Sequence, residues 1–547
     1  MIGAPREVGR VQLHSLAVVT AGAALAASAS EGSAQSAAES RLRGGSEEVP
    51  WMRIALCAAA AVGAFLAVRW LAGGREEDGP RPWLESGRSP WLRALLDYRG
   101  LTFVEKEQQI DIAGLSLLQL AQALHAEGPL RVSARAAMRY SIAASVFANR
   151  SFRFLASESF KSAMLAAEEL DEEKGPAALP LLGVPVSVSS CDAEGRERTR
   201  AALRALGALP YCTELSAAAE SVVRLDNPQG PQLSCCGLVG SASAAHVASG
   251  GTFLAAGEDA AGEALLSAHC SAVAAFLPTP SRAHWQAARG GARPALFART
   301  AGDLLFVDGL LCGAAEAEER PLRRFALLSL GDCSPAVSAA VSAAGAALEK
   351  AGAEAVTLSA APAAALLRAW RREQGRGASA LLHLRASEEV RRARRALLQE
   401  MAALGAGVLL CPSSRHSPGP LVAGLAQADR DHALLLALLG GPVAAVPFST
   451  VPAGDAHDRE GVAVSVLVAA APMQDALALE AAVLLERRSV SLAAERTLGE
   501  GTAAEGAFSG FPPTDERRRF LFMRCQKFGN HGCMDREPEL MPRPMNM

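Results

Sequence analysis

Residues able to act as a nucleophile and a base lie close together in a glycine-rich stretch near the middle of the chain. The nucleophile candidates are the thiols and hydroxyls of Cys235, Cys236, Ser241 and Ser243, and the base candidate is His246. A cysteine or serine beside a histidine is an activated nucleophile, because the imidazole takes its proton. Small residues also occur where a loop is tightly packed, and a histidine in a helix-like run is commonly structural. We favour this second interpretation.

Cysteine and histidine residues form no familiar metal or disulfide pattern in the rest of the sequence. Eleven cysteines are scattered through 547 residues, unlike a disulfide scaffold or a zinc ribbon. Cys525, His531 and Cys533 could form part of a metal site, but their spacing fits no familiar ligand set and a fourth ligand is missing. The sequence therefore predicts no metal and no cofactor.

Composition indicates an α/β protein and excludes some partners. Half of the residues are hydrophobic and only 5% are aromatic, which favours helices packed through small side chains over an all-β fold. The formal net charge of −3 offers no basic excess for phosphates, so no nucleic-acid partner is predicted. The arginines in Arg371–Arg376 and Arg391–Arg395 are interpreted as solvated helix faces.

The first 109 residues are predicted to tether the protein to a membrane. Residues 1–50 form a low-complexity leader, within which residues 11–30 are either a secretory signal or an alanine-rich disordered segment. Residues 51–72 contain the uncharged run Ile54–Val68, flanked by Trp51, Arg53, Arg69 and Trp70. This pattern predicts a single transmembrane helix of undecided orientation, with a buried core helix as the alternative. Residues 73–109 are interpreted as a linker.

Residues 110–490 are predicted to form one α/β domain, followed by an irregular tail at 491–547. Strands are predicted at Pro180–Val188, Phe325–Leu330, Val356–Ser359 and Gly407–Pro412, and the helices between them include Glu194–Leu206, Ser334–Gly352 and Glu388–Leu404. This alternation indicates a parallel or mixed sheet with helices on its faces. Residues 229–280 show little periodicity, and their many glycines indicate backbone that approaches something closely or adopts positive φ.

Short motifs recur in a fixed order through this domain, without a gap between Gly237 and Arg282. They are Gly183–Val188 followed by Ser189, Asn227-Pro228, Gly237–Ala242, Ser249–Gly251, Gly257–Glu263, Ala275–Arg282, Phe297–Arg299 with Asp303-Leu304, Gly441–Pro447 and Gly461–Val464. Their order resembles that of the amidase signature family, and the layout with an amino-terminal anchor is closest to membrane-anchored fatty acid amide hydrolases. The resemblance implies a central mixed β-sheet covered by helices on both faces, and often a homodimer.

By this resemblance, the family's chemistry uses a serine nucleophile, a second serine that relays the proton, and an unprotonated lysine as base. The nucleophile position falls on Glu263, the relay position on Val239 and the lysine position on Ser189. Val239 has no proton to pass on, and Ser189 is not a base near neutral pH. Glu263 is a poor nucleophile for amides, because the acyl anhydride that it would form readily reverts.

The backbone around the nucleophile position also departs from the family's pattern. The turn that supplies the family's oxyanion hole reads Ala260-Ala261-Gly262 here. The Cβ of Ala261 disfavours the positive φ that glycine permits, so we expect the oxyanion hole to be altered. Asp259 keeps the family's acidic position and is predicted to bond to loop amides. The segment from Ser189 to Asn227 is shorter than in the family, which predicts that part of a substrate-channel wall is missing.

Three hypotheses follow from these residues. The first is a catalytically inactive, membrane-bound pseudo-amidase that binds a lipid-like or small amide ligand or a partner protein. The second is an active amide or ester hydrolase whose nucleophile has moved to Ser241, Ser243, Cys235 or Cys236. The third is an unrelated alanine-rich α/β protein. The first two require that Ser189, Val239 and Glu263 converge in the folded chain.

Overall fold

The backbone of the computed structural model is organised around one sheet of eleven strands. The structure describes residue 95 and residues 111–499, with gaps at 127–130, 153, 173–178, 190–192, 216–223, 228–229, 234–237, 260, 286–292, 313–321, 375–386, 419–426 and 452–461. The predicted leader, the membrane span at 51–72, Cys235, Cys236, and the trio Cys525, His531 and Cys533 lie outside the described residues. Among the helices that are described, none is both long and apolar enough to cross a membrane.

The strands, in chain order, are β1 (Leu155–Glu158), β2 (Pro185–Ser189), β3 (Leu209–Glu214), β4 (Arg224–Asn227), β5 (Gly230–Leu233), β6 (Leu254–Asp259), β7 (Ala274–Leu277), β8 (Arg293–Ala298), β9 (Arg324–Leu327), β10 (Glu354–Thr357), β11 (Val408–Pro412), β12 (Val443–Thr450) and β13 (Ala463–Ala470). The helices are α1 (Leu117–His125), α2 (Ala134–Phe152), α3 (Phe160–Glu172), α4 (Ala193–Ala205), α5 (Ser241–Ala248), α6 (Glu263–Ser271), α7 (Ala301–Cys312), α8 (Pro335–Lys350), α9 (Ala360–Gln374), α10 (Glu388–Leu404), α11 (Gln427–Leu439) and α12 (Asp475–Gly499).

The large sheet is mixed, as the sequence predicts. Its strand order is β1-β3-β2-β6-β8-β7-β12-β13-β11-β9-β10, and β4 and β5 form a separate hairpin. Strands β3, β2 and β6 are parallel to one another, as are β11, β9 and β10. The central strands between these groups pair antiparallel. Each parallel group contains a strand–helix–strand crossover through α4 or α8, which matches the predicted β-α-β alternation.

Both faces of the sheet are covered by helices because successive side chains of a strand point to opposite sides. In β6, Ala255 packs in one core cluster with α5 and α6, whereas Leu254 and Ala256 pack in a second cluster with α1, α7 and α12. Every residue of β6 is buried. Burial on both faces explains why the central strands lack the alternation of polar and apolar residues that marks a half-exposed strand.

The structure corrects several predicted boundaries. The strand predicted from Pro180 begins at Pro185, because residues before it form a turn that includes Gly183 at φ +78°. The strand predicted to end at Leu330 ends at Leu327. Helix α12 runs from Asp475 to Gly499.

The glycine-rich stretch at 229–280 contains regular elements that its sequence pattern did not predict. They are β5, β6, α6 and β7, whereas α5 coincides with the helix-like run around His246. Every residue of α5 is buried, and so is every residue of α6 after Glu263. A helix buried on all sides has no polar face, so its sequence carries no amphipathic period for a pattern search to detect.

Candidate active site

The turn between β6 and α6 places Glu263 at the first position of the helix. Gly262 precedes the helix with φ +87°. A Cβ at this position would lie 2.4 Å from the backbone carbonyl of Ala433 in α11. Only glycine combines this positive φ with this close approach, so the turn and α11 are fixed against each other.

Ala261 adopts the conformation that its side chain was expected to disfavour. Its φ is +59°, within the left-handed region. The chain therefore adopts this backbone shape at Ala261 although a Cβ disfavours it. Surrounding packing holds the turn, because Asp259 accepts hydrogen bonds from the N–H groups of Gly262 and Ala264, each at 2.9 Å.

Asp259 is itself held by a buried cation on the neighbouring strand. Arg293 of β8 pairs with Asp259 of β6 in the sheet register. The guanidinium of Arg293 donates to the carbonyl oxygens of Ala437, Pro278 and Gly441 at 2.7–3.0 Å. Burial lowers the pKa of Arg293 to about 10, and nearby Asp259 opposes that shift. Burial also raises the pKa of Asp259, and its two backbone hydrogen bonds and Arg293 offset this rise.

A second turn, just before α5, lies against the first one. Gly240 there has φ +84°, and a Cβ at that position would come within 2.8 Å of the Phe297 ring and 3.2 Å of the Ala264 Cα. Val239 precedes this glycine, and its carbonyl accepts a hydrogen bond from Ser267 of α6 at 3.3 Å. The Val239 position is therefore fixed beside the first turns of α6.

Glu263 and Val239 are in direct contact. The Val239 N–H donates to Oε2 of Glu263 at 2.9 Å, and Nη1 of Arg430 in α11 donates to Oε1 at 3.1 Å. Only 21% of the Glu263 side chain and 36% of the Arg430 side chain are exposed. Burial raises the pKa of Glu263, and the Val239 hydrogen bond and the Arg430 charge act against that rise. Both carboxylate oxygens of Glu263 are thus engaged by donors.

Ser189 lies at the same edge of the sheet as Glu263. It is the last residue of β2, which runs parallel to β6, and α6 begins just after β6. The carboxyl ends of parallel neighbours share one edge. The Ser189 hydroxyl is buried and donates to the Leu215 carbonyl at 3.2 Å. A hydroxyl in this arrangement does not act as a base.

The alternative nucleophiles among the described residues are buried and bonded elsewhere. Ser243 donates to Oε2 of Glu214 rather than to His246. The Nδ1–H of His246 donates to Oε1 of Glu214 at 2.6 Å. Ser241 is fully buried on the same helix. His246 therefore does not act as a base for Ser243 in this arrangement.

A serine that the sequence pattern did not indicate lies on the other nitrogen of His246. Ser145 of α2 places its Oγ 2.7 Å from Nε2 of His246, and Glu214 of β3 holds Nδ1. These distances match a serine–histidine–carboxylate relay. However, Ser145, His246 and Glu214 are all buried, and Tyr211 contacts both Ser145 and the histidine. The network joins α2, β3 and α5 inside the core.

No group of three or more histidine, cysteine, aspartate or glutamate side chains suited to a metal ion occurs among the described residues. Among the candidates that the structure describes, Ser189, Ser243 and Glu263 make side-chain hydrogen bonds, and Ser241 is buried in α5.

No protein-family model and no curated protein matches this chain, but solved structures do. An amidase aligns with 68% of this chain and 100% of its own, at 22% identity and a TM-score of 0.56. A fatty acid amide hydrolase aligns over 73% and 88%, at 15% identity and a TM-score of 0.54. A bacterial aryl acylamidase of the amidase signature enzymes aligns over 72% and 100%, at 14% identity and a TM-score of 0.52. The described domain therefore has the amidase signature α/β fold.

Proposed function

We propose that this protein is a catalytically inactive, membrane-bound pseudo-amidase that acts as a binding scaffold for a lipid-like or small amide ligand. The observation that supports the proposal is the state of the Glu263 carboxylate. It stands at the nucleophile position that the family resemblance assigns, and both of its oxygens accept hydrogen bonds, from Val239 and from Arg430. A carboxylate held in this way is a paired structural group rather than an activated nucleophile.

The other two positions support the same proposal. Amide hydrolysis by a serine needs an adjacent base, because a hydroxyl is a weak nucleophile until its proton is removed. Val239 carries no proton to relay, and the Ser189 hydroxyl donates to a backbone carbonyl. The fold persists around these positions, which fits a protein that retains binding after losing chemistry.

Membrane attachment in this proposal rests on the sequence alone. The apolar run at 51–72, with its flanking tryptophans and arginines, is the segment that would provide it. Fractionation and protease protection of the full chain test this attachment and its orientation.

The proposal is tested by assaying the purified full-length protein in detergent against fatty acid amides and esters. We expect no turnover, together with saturable binding of a fatty acid amide. The same assay is run on the triple variant Ser189→Lys/Val239→Ser/Glu263→Ser. This variant carries, at the three positions, the residue types that the resemblance implies. Turnover by the wild-type protein that disappears in Glu263→Ala would overturn the proposal.

The competing proposal is a hydrolase with a relocated nucleophile, for which the Ser145–His246–Glu214 distances are the one favourable observation. A fluorophosphonate or iodoacetamide probe distinguishes the two. Labelling of the native protein at Ser145, Ser241, Ser243, Cys235 or Cys236 would favour the hydrolase. We expect labelling only after unfolding, because the serines of this set are buried.

A further inference from the structure

The hydrogen-bond donors around Glu263 form a set that fits any carboxylate, not only the one attached to the chain. The set consists of the Val239 N–H, the Arg430 guanidinium and the amino-terminal end of α6. The two side-chain oxygens of Glu263 each accept from a different donor, at 2.9 Å and 3.1 Å. A backbone N–H combined with a guanidinium at a helix amino terminus is a strong arrangement for binding an anionic oxygen pair.

Several contacts fix the Val239 amide and the backbone of α11 in place without Glu263. Gly240 is held against Phe297 and Ala264, which positions the Val239 amide. The close approach of Gly262 to Ala433 positions α11, which carries Arg430. The Nε of Arg430 is buried without a hydrogen-bond partner among the described residues. The guanidinium therefore has donor capacity beyond its bond to Glu263.

We propose that this set is a carboxylate-binding site that the protein occupies with its own Glu263 side chain. This inference deepens the proposed function and rests on it, since it specifies which ligands the scaffold accepts. While Glu263 is in place, its negative charge excludes carboxylate ligands, and the site accepts neutral ligands such as amides, whose N–H can donate to Glu263. Removing the side chain opens the site to an external carboxylate.

The experiment measures the melting temperature of Glu263→Ala in increasing sodium acetate. Acetate is the probe because it has the carboxylate group of the missing side chain. We expect a saturable rise of about 1–3 °C at up to about 100 mM acetate, since a ligand that binds only the folded state stabilises it by mass action. Equal concentrations of sodium chloride control for ionic strength, and acetamide is the neutral analogue.

Three further proteins test whether the acetate response requires both the removal of Glu263 and the presence of Arg430. We expect no acetate response in the wild-type protein, in Glu263→Ala/Arg430→Met, or in the matched control Glu480→Ala, which removes an exposed glutamate of α12. An equal response to acetate in Glu263→Ala and in the double variant would overturn the inference. So would an equal response to acetate and acetamide.

A second measurement applies if Glu263→Ala does not fold. The variants Glu263→Gln, Arg430→Gln and their double variant remove the two charges, and Glu263→Gln also keeps the size of its side chain. We expect the two single changes to be non-additive, with a coupling of about fivefold in the unfolding equilibrium constant. Additive effects would contradict the inference. Turnover of fatty acid amides by the wild-type protein would instead defeat the proposed function, so the two failures are distinguishable.

Discussion

At the scale of single residues, Val239 and Glu263 are physically linked. The Glu263 carboxylate reaches back from the start of α6 to accept the N–H of Val239. A serine at position 263 would be too short to make this contact. The long acidic side chain adds a charge that the buried surroundings disfavour, and the charge of Arg430 compensates for it. Glu263, the Val239 amide and the arginine on α11 therefore belong to one arrangement.

The buried His246–Glu214 pair predicts how strongly a single substitution at His246 destabilises the protein. Among the described residues, replacing His246 by leucine leaves buried Glu214 with the hydroxyls of Ser187 and Ser243 as hydrogen-bond partners. Breaking a buried pair by removing one partner costs about 3–5 kcal/mol. We therefore expect His246→Leu to lower the free energy of unfolding by about 3 kcal/mol, measured by urea denaturation.

His125→Leu is the matched control for this change. His125 is exposed on α1 and bonds only to the Leu179 carbonyl among the contacts that the structure shows. We expect a change within about 0.5 kcal/mol there, as for most surface substitutions. Equal effects of the two leucine variants would contradict a structural role for the buried network.

At the scale of elements, the α6 turn and α11 fit together through one glycine. Gly262→Ala would place a Cβ 2.4 Å from the Ala433 backbone at a positive φ. Neither the helix backbone nor the turn can move without disturbing α6. We expect a loss of about 3 kcal/mol or more in the free energy of unfolding, or failure to fold.

Gly309→Ala is the control, and we expect it to raise the free energy of unfolding rather than lower it. Gly309 lies within α7, and a Cβ there would meet nothing within 4 Å. Alanine is favoured over glycine inside a helix by about 1 kcal/mol. We expect this variant to gain about 0.5–1 kcal/mol by urea denaturation. Similar destabilisation by both alanines would show that the contact with Ala433 is not what requires glycine at position 262.

Helices with amphipathic or capped sequences were predictable, whereas α6, which is buried at every residue after Glu263, was not. Helix α10 was predicted at its observed bounds, since its polar and apolar residues alternate with a helical period and Gly405 ends it at φ +66°. Helices α5 and α6 have small or apolar residues on all faces. Their existence depends on the packing around them, which sequence periodicity does not report.

The residues of the candidate site were predictable only where a local sequence motif marks them. Ser189, Val239 and Glu263 were located by motif order, and the structure joins Val239 to Glu263 and places Ser189 at the same sheet edge. Arg430 was not found, because it lies 167 residues from Glu263 in sequence. Ser145 was missed likewise, at 101 residues from His246. Contacts of this kind arise from the tertiary fold and leave no local pattern.

At the scale of the whole molecule, two buried titratable groups give stability opposing dependences on pH. Burial raises the pKa of Glu486 to about 7, from an ordinary value of 4.5. Burial lowers the pKa of His432 to about 4, from 6.5. Glu486 of α12 accepts the N–H groups of Ala301 and Gly302 at the start of α7, and Nε2 of His432 accepts the N–H of Leu330. Each joins elements that are distant in sequence.

Whether each group makes stability rise or fall with pH depends on whether the folded or the unfolded chain binds more protons. Between about pH 4.5 and about pH 7 the folded chain keeps Glu486 protonated while the unfolded chain does not, so this group makes stability fall as pH rises. Between about pH 4 and about pH 6.5 the unfolded chain protonates His432 while the folded chain does not, so this group makes stability rise with pH. The two contributions partly cancel in the wild-type protein.

Substitution of each group separates its contribution. Relative to the wild-type protein, we expect Glu486→Gln to gain about 1–2 kcal/mol in the free energy of unfolding between about pH 5 and about pH 7, because glutamine never ionises. His432→Gln is the control of opposite sign, since it should gain relative stability as the pH falls toward about 4. Urea titrations of the three proteins across this range measure both slopes. A pH-independent offset in either variant would show that its buried group does not titrate between the folded and unfolded states.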